Sequence, residues 1–414
     1  MDEEIFKKKL AAYADLLLTL GVNLKRGAYC LIQALTVHRE LALACAEQAY
    51  KKGARYVHIL YLDELLDALR LEYADFSSLD YLPGSVVRAY EEVLENKGVF
   101  LSFTGRERNV EYDSTDPERS SKMLLARAEN LSFFHDQVST NGLKWCVAAS
   151  ATEGTAQKIF PQLPVKQAVQ KLWEEYFLIC RIDTSNPLTT WRCHIDKLNA
   201  LKRKLNQFHI KELIFKGPQI DLTIGLSCKA RWQGGESYCK NGEVFVPNIP
   251  TEEVFTVPDF HKVNGWVESS RPLVYRNLYV EKIRLEFQNG TLVNISGSQG
   301  IEQLKHYLFS KPENTLLGEV ALVESTSPVY ASGHVFHNLL YDENAASHIA
   351  FGSAFSECLN GAEQLDAEQK KELGFNTSKI HVDIMIGSPK VNIAARLSSG
   401  KTVPLIEKGE FVIL

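Results

Sequence analysis

Short apolar runs alternate with amphipathic stretches through the first half of the chain. Tyr29-Cys-Leu-Ile-Gln-Ala reads as a strand, 38–52 as a helix rich in Ala, Leu and Glu that Gly53 ends, and Tyr56-Val-His-Ile-Leu-Tyr as a second strand. Strand, helix and strand in so few residues predict a βαβ unit, which requires a parallel sheet. Val99-Phe-Leu-Ser-Phe and Lys144-Trp-Cys-Val-Ala-Ala are further predicted strands, and 120–136 and 172–180 predicted helices. The polar, proline-containing stretch Asp183-Thr-Ser-Asn-Pro187 predicts a domain boundary. It divides the chain into an N-terminal domain, 1–186, and a C-terminal domain, 187–414.

Beyond that boundary the pattern changes. A helix over 191–207 leads into β-rich sequence, where Asp221-Leu-Thr-Ile-Gly-Leu alternates as a half-buried strand should. The run 279–286, the pair Asn289-Gly290 and the run 292–296 predict a hairpin. Residues 404–414 end the chain in strand-like sequence. A helix is expected over 345–359, with Asp342 or Asn344 as its N-cap. His348 then lies in its first turns, and Phe355, seven residues on, shares its face. The fold class is therefore α/β in two domains: a mainly parallel sheet first, then a β-rich α/β domain.

Composition narrows the function classes. The 414 residues suffice for two domains, and 45% hydrophobic content is ample for a core. A net charge of −5, with only short basic runs, argues against a nucleic-acid partner. No stretch reaches the roughly 18 apolar residues needed to span a bilayer, and acids open the chain where a secretory signal would be basic. The eight cysteines form no C-x-x-C pair, so a reduced, cytoplasmic setting is expected.

The candidate chemistry lies in the second half. In Ser-Lys-Ile-His381-Val-Asp383-Ile-Met-Ile-Gly, strand alternation sends an imidazole and a carboxylate out of one face together. Burying both without partners is costly, and a divalent metal satisfies both at once. Further acids and imidazoles stand among small or apolar neighbours: Glu252 and Glu253 in Pro250-Thr-Glu-Glu-Val-Phe-Thr-Val-Pro258, Glu319 in Leu317-Gly-Glu-Val-Ala-Leu-Val323, and Glu343 and His348 in Tyr341-Asp-Glu-Asn-Ala-Ala-Ser-His-Ile-Ala-Phe-Gly352. Singly, each reads as a surface or ion-paired residue; gathered in one half of the chain, they point to a metal cluster. The zincin H-E-x-x-H, the G-x-S-x-G elbow, the Walker A loop and G-x-G-x-x-G are all missing from the sequence. Gly297-Ser-Gln-Gly300 reads as a turn, and His334 and His337 as structural or rim residues.

These four runs, in this order, closely resemble the M29 metallo-aminopeptidases; the stretch 109–116 and Ile159-Phe-Pro161 add a looser likeness in the first half. The resemblance implies an α/β N-terminal domain, a C-terminal domain with two divalent metals, and a homodimer whose sites face an internal space. It maps the ligands onto Glu253, Glu319, His348, His381 and Asp383, with Glu343 as a sixth. Such a donor set suits Zn, Co or Mn. Two such ions would share a bridging hydroxide that attacks the scissile carbonyl of a peptide with a free N-terminus. Glu252 or Glu319 is the candidate general base. One position departs from the family pattern: a tyrosine is expected where this chain has Phe355. The enzyme is then slow, uses another donor such as Tyr330 or Tyr341, or is a binding protein with weak or lost turnover. A dinuclear hydrolase of another substrate class is the remaining alternative.

Overall fold

The computed structural model describes residues 1–107, 116–275 and 278–414. Most of the 109–116 stretch lies outside them; Asp116 is described, and its carboxylate caps a helix by accepting the Glu118 N–H at 2.9 Å. The chain forms two compact units, 1–192 with 236–250, and 193–235 with 251–414. The helix Pro187–Gln207 begins in the first unit and continues in the second, so the polar stretch before it starts a helix.

The first unit is built on a five-stranded sheet, ordered 248–249, 144–149, 99–104, 29–35, 56–62, with every pairing parallel. The expected parallel sheet is present. The edge pair Asn248–Ile249 is too short to register in a hydrophobic pattern. Tyr90, Phe100 and Phe134 form the aromatic centre of one core, with ring centroids 4.8–6.3 Å apart. The helix expected over 120–136 is in fact two, Pro117–Asn130 and Ser132–Ser139, broken at Leu131. The one expected over 172–180 is the end of a longer helix, Val165–Ile179.

The second unit carries, among the described residues, two larger antiparallel sheets and one two-stranded one. The larger has eight strands, ordered 291–296, 284–288, 258–268, 220–226, 210–217, 392–397, 402–407, 410–411. Its hairpin turns at Asn289 and Gly290, both with positive φ. A Cβ on Gly290 would stand 1.9 Å from the Phe260 carbonyl oxygen, so glycine is required there. The run 279–286 is not one strand: Leu278–Val280 pairs with Leu273–Tyr275, and Arg284–Gln288 joins the large sheet. The C-terminal run is likewise a hairpin, Thr402–Glu407 with Glu410–Phe411. The second sheet has five strands, ordered 381–385, 348–352, 317–323, 253–256, 233–234.

This sheet overturns one expectation. Residues 345–359 are not a helix; they contain the strand His348–Gly352 and a short 3-10 turn, Ser356–Cys358. Strands on both sides pair with His348–Gly352, and all five of its residues are buried. A fully buried strand loses the alternation that identifies strands, and its alanines then read as helix. His348 and Phe355 are therefore not related by helical turns.

His38 in the first unit yields a stability prediction. Its Nδ1 accepts the Leu35 N–H at 3.1 Å, and its Nε2–H donates to the Gly105 carbonyl at 2.9 Å. Both contacts fit the neutral ring, and burial pulls its pKa down to about 4. Below the ordinary histidine value the unfolded chain binds a proton that the folded chain refuses. Stability is thus lost as pH falls from about 6.5 towards 4, by about 3 kcal/mol. Urea midpoints of wild type and His38→Gln should converge as pH drops from 7 to 4; a constant gap contradicts this account.

Candidate metal centre

The five-stranded sheet acts as a ruler. Directly paired residues of antiparallel strands share a face, as do residues two apart on one strand. Glu319 pairs with Ala350 and Ala350 with Asp383; Ala321 pairs with His348, Gly352 with His381, and Glu253 with Val323. By this register Glu253, Glu319, His348, His381 and Asp383 all leave one face. Between them sit Ala321 and Ala350, both fully buried. Small side chains make the floor over which the longer ones converge.

The convergence is close. His348 Nε2 lies 3.3 Å from Glu253 Oε2, 3.5 Å from Glu319 Oε1 and 3.9 Å from Asp383 Oδ1. His381 Nε2 lies 3.1 Å from Asp383 Oδ1 and 3.8 Å from Glu319 Oε2. Two sets of donor atoms result, each within 4.8 Å: Glu253, Glu319 and His348, then Glu319, His381 and Asp383. Glu319 belongs to both. Each imidazole presents Nε2 to the carboxylates because Nδ1–H is held behind it. His348 Nδ1 donates to the Ala346 carbonyl at 3.1 Å, and His381 Nδ1 to that of Ser353 at 2.9 Å. Metal-binding histidines are oriented in this way.

The electrostatics describe a cluster short of positive charge. Burial, reinforced by Glu319 and Asp383, pushes Glu253 up to about 8. Glu343, in a 3-10 turn beside the cluster, is driven well above the carboxylate range by burial and then by Glu253 and Asp383. Burial pulls both imidazoles down, but their acidic neighbours prevail and raise each to about 10. Burial would lift Asp383 too, yet His381 and His348 hold it below its usual value. Glu253 Oε2 and Asp383 Oδ2 are buried acceptors with no hydrogen-bond donor. Such orphans are costly, and a cation is what this donor set lacks. The residues therefore fit a divalent metal.

Residues 6–411 match the family model described as thermophilic metalloprotease (M29). The chain belongs to the M29 family. Aminopeptidase PepS of Streptococcus thermophilus is 35% identical over 411 residues, covering 99% of each chain. Aminopeptidase T of Thermus aquaticus is 35% identical over 410 residues, 99% of this chain and 100% of its own. The structure of wild-type AmpT from Thermus thermophilus matches with a TM-score of 0.92 at 33% identity, covering 99% of this chain and 100% of that one.

Other residues singled out from the sequence fall outside the two donor sets of this M29 chain. Glu252 is buried, with its Oε2 3.5 Å from His194 Nε2 and its N–H donating to Asn344 Oδ1 at 2.6 Å. Phe355 follows the strand His348–Gly352, with its ring 5.1 Å from that of His381. Tyr341 is fully buried against Phe336, whereas Tyr330 is half-buried with Arg271 over its ring. His337 stacks on Tyr279, and His334 stands edge-on to Phe336. Sequence reasoning missed Asn344, His194 and the two alanines. His194 and Asn344 carry no spacing signal; the alanines do, each two residues from a ligand candidate on its own strand.

The alanine floor is testable. Ala350→Leu should place a branched side chain between Glu319 and Asp383 and lower the zinc content after dialysis, with far-UV circular dichroism unchanged. Full zinc occupancy in that variant would show that the space over Ala350 is not needed.

Proposed function

We propose that this chain is a dinuclear metal-dependent aminopeptidase, which hydrolyses the N-terminal peptide bond of peptides. The observation that carries the reading is the pair of donor sets sharing Glu319 on one sheet face, in a chain of the M29 family. Glu253, His348 and Glu319 would hold one ion; His381, Asp383 and Glu319 would hold the other; Glu343 stands by as a sixth ligand. The four carboxylates balance two divalent cations, and donors of this kind suit Zn, Co or Mn. When bound, the ions supply an activated water and polarise the scissile carbonyl.

The chain's own residues do the rest. The Ala346 and Ser353 carbonyls fix both imidazoles in one tautomer and aim Nε2 inward. A carboxylate shared by both sets has little freedom to carry a proton, so of the two candidate bases Glu252 suits that role and Glu319 that of bridge. Asn344 restrains the Glu252 backbone, and His194 lies beside its carboxylate. The reading extends to a homodimer acting on peptides with a free N-terminus in a reducing cytoplasm. Eight cysteines without C-x-x-C spacing suit that compartment. Among the described residues no helix is long and apolar enough to cross a membrane.

Phe355 favours a second reading, a metal-binding homologue with weak or lost turnover. Elemental analysis beside hydrolysis of Leu-, Arg- and Glu-derived chromogenic substrates separates the two. Activity should vanish with chelator and return with Zn or Co. Chelator-insensitive cleavage would sink the metal mechanism, and bound metal without cleavage would establish the second reading.

Phe355→Tyr restores a hydroxyl beside His381 and should raise kcat, since one donor to the tetrahedral intermediate is typically worth about 10²–10³. Metal content should stay the same. Equal rates for the two proteins would remove this position from the chemistry.

A further inference from the structure

The cluster is unevenly buried. The side chains of Glu253, Glu319, His348 and Asp383 are at most 10% exposed, whereas that of His381 is 24% exposed. Next to His381 stands Phe355, 44% exposed. Its ring centroid is 5.1 Å from His381 and 5.9 Å, edge-on, from Phe255. Phe255 lies two residues from Glu253 on the same strand and pairs with Ala321, so it shares the face that carries the ligands. Two aromatic rings in contact thus stand at the most exposed of these side chains, and Phe355 keeps part of its face uncovered.

We propose that Phe355, backed by Phe255, receives the side chain of the substrate's first residue and selects for apolar and aromatic N-termini. The inference rests on the aminopeptidase reading and specifies its substrate class. The scissile carbonyl must sit over the cluster, and the first side chain branches one bond from that carbonyl. Successive residues lie about 3.3–3.6 Å further along an extended chain. A ring about 5 Å from His381 is therefore within reach of the first side chain. An apolar side chain there covers an exposed ring and leaves water. A carboxylate there loses hydration and finds no hydrogen-bond donor on either ring.

The test uses zinc-loaded full-length protein and amino-acid p-nitroanilides of Phe, Leu, Ala and Glu, so that only the first residue varies. Wild type should favour Phe and Leu over Ala and Glu by about tenfold or more in kcat/KM, the scale of a small apolar contact. Phe355→Ala should flatten that series with zinc content unchanged, and Phe355→Tyr should keep it. A uniform fall across all four substrates in Phe355→Ala would overturn the proposal and leave the peptidase reading standing. Calorimetric affinities for phenylalanine and alanine hydroxamates give a readout without turnover. If wild type binds zinc but cleaves nothing, the peptidase reading fails, and the hydroxamates alone decide. A preference for the phenylalanine compound that Phe355→Ala abolishes supports the proposal, and equal affinities refute it.

Discussion

Three carboxylates and two imidazoles crowd one face of a sheet, with a fourth carboxylate, Glu343, on a turn beside them, and burial excludes most water from the group. Taking a carboxylate out of water costs several kcal/mol unless a counter-charge replaces its hydration. That cost shows in the electrostatics: burial and acidic neighbours push Glu253 and Glu343 up, and the acids around them raise both histidines to about 10. These displacements share one cause, a buried surplus of negative charge. A divalent ion removes the surplus and releases the protons, which couples metal affinity to pH. The local design follows from this demand: inward Nε2 atoms, carbonyls behind the imidazoles, and acceptors left unpaired.

The antiparallel sheet meets the demand because its geometry is fixed at several points at once. Three adjacent strands deliver Glu319, His348, His381 and Asp383, and a fourth delivers Glu253. The strands 348–352, 317–323 and 253–256 are paired on both sides and 381–385 on one, so the candidate donors are placed by the register and by the size of the residues between them. Ala321 and Ala350 are as much part of the site as the donors. Glu343 and Phe355 differ in kind. Both stand outside the strands, on a 3-10 turn and on the segment after His348–Gly352, so the sheet register does not place them.

What the sequence displayed depended on how each element is buried. Near His381 the alternation survives, because that edge strand keeps one residue partly exposed, and His381 and Asp383 were legible as a same-face pair. The parallel strands at 29–35 and 99–104 were legible as short apolar runs between helices. The strand His348–Gly352 was not, since burial on both faces removed its period and Ala345, Ala346 and Ala350 imitate a helix. His348 was still singled out, because the run that carries the family resemblance contains it whatever the local conformation. The segment 236–250 was invisible for another reason: a two-residue strand that pairs with Val147 and Ala148 is a tertiary fact with no local signal.

Two demands meet at Phe355. A tyrosine at this position would join an aromatic face to a hydroxyl donor, and phenylalanine keeps the first while discarding the second. The hydroxyl is not readily replaced from Tyr341, which is fully buried against Phe336 and belongs to the core. Tyr330 is half-buried, with Arg271 over its ring, and retains some access. If turnover persists without the family hydroxyl, either Tyr330 supplies the donor or the cluster alone carries the charge of the intermediate. The ring keeps its apolar face beside His381 in either case, and the proposed selectivity rests on that face and not on a hydroxyl. Loss of the hydroxyl and retention of the ring thus separate two tasks at one position, rate and selectivity.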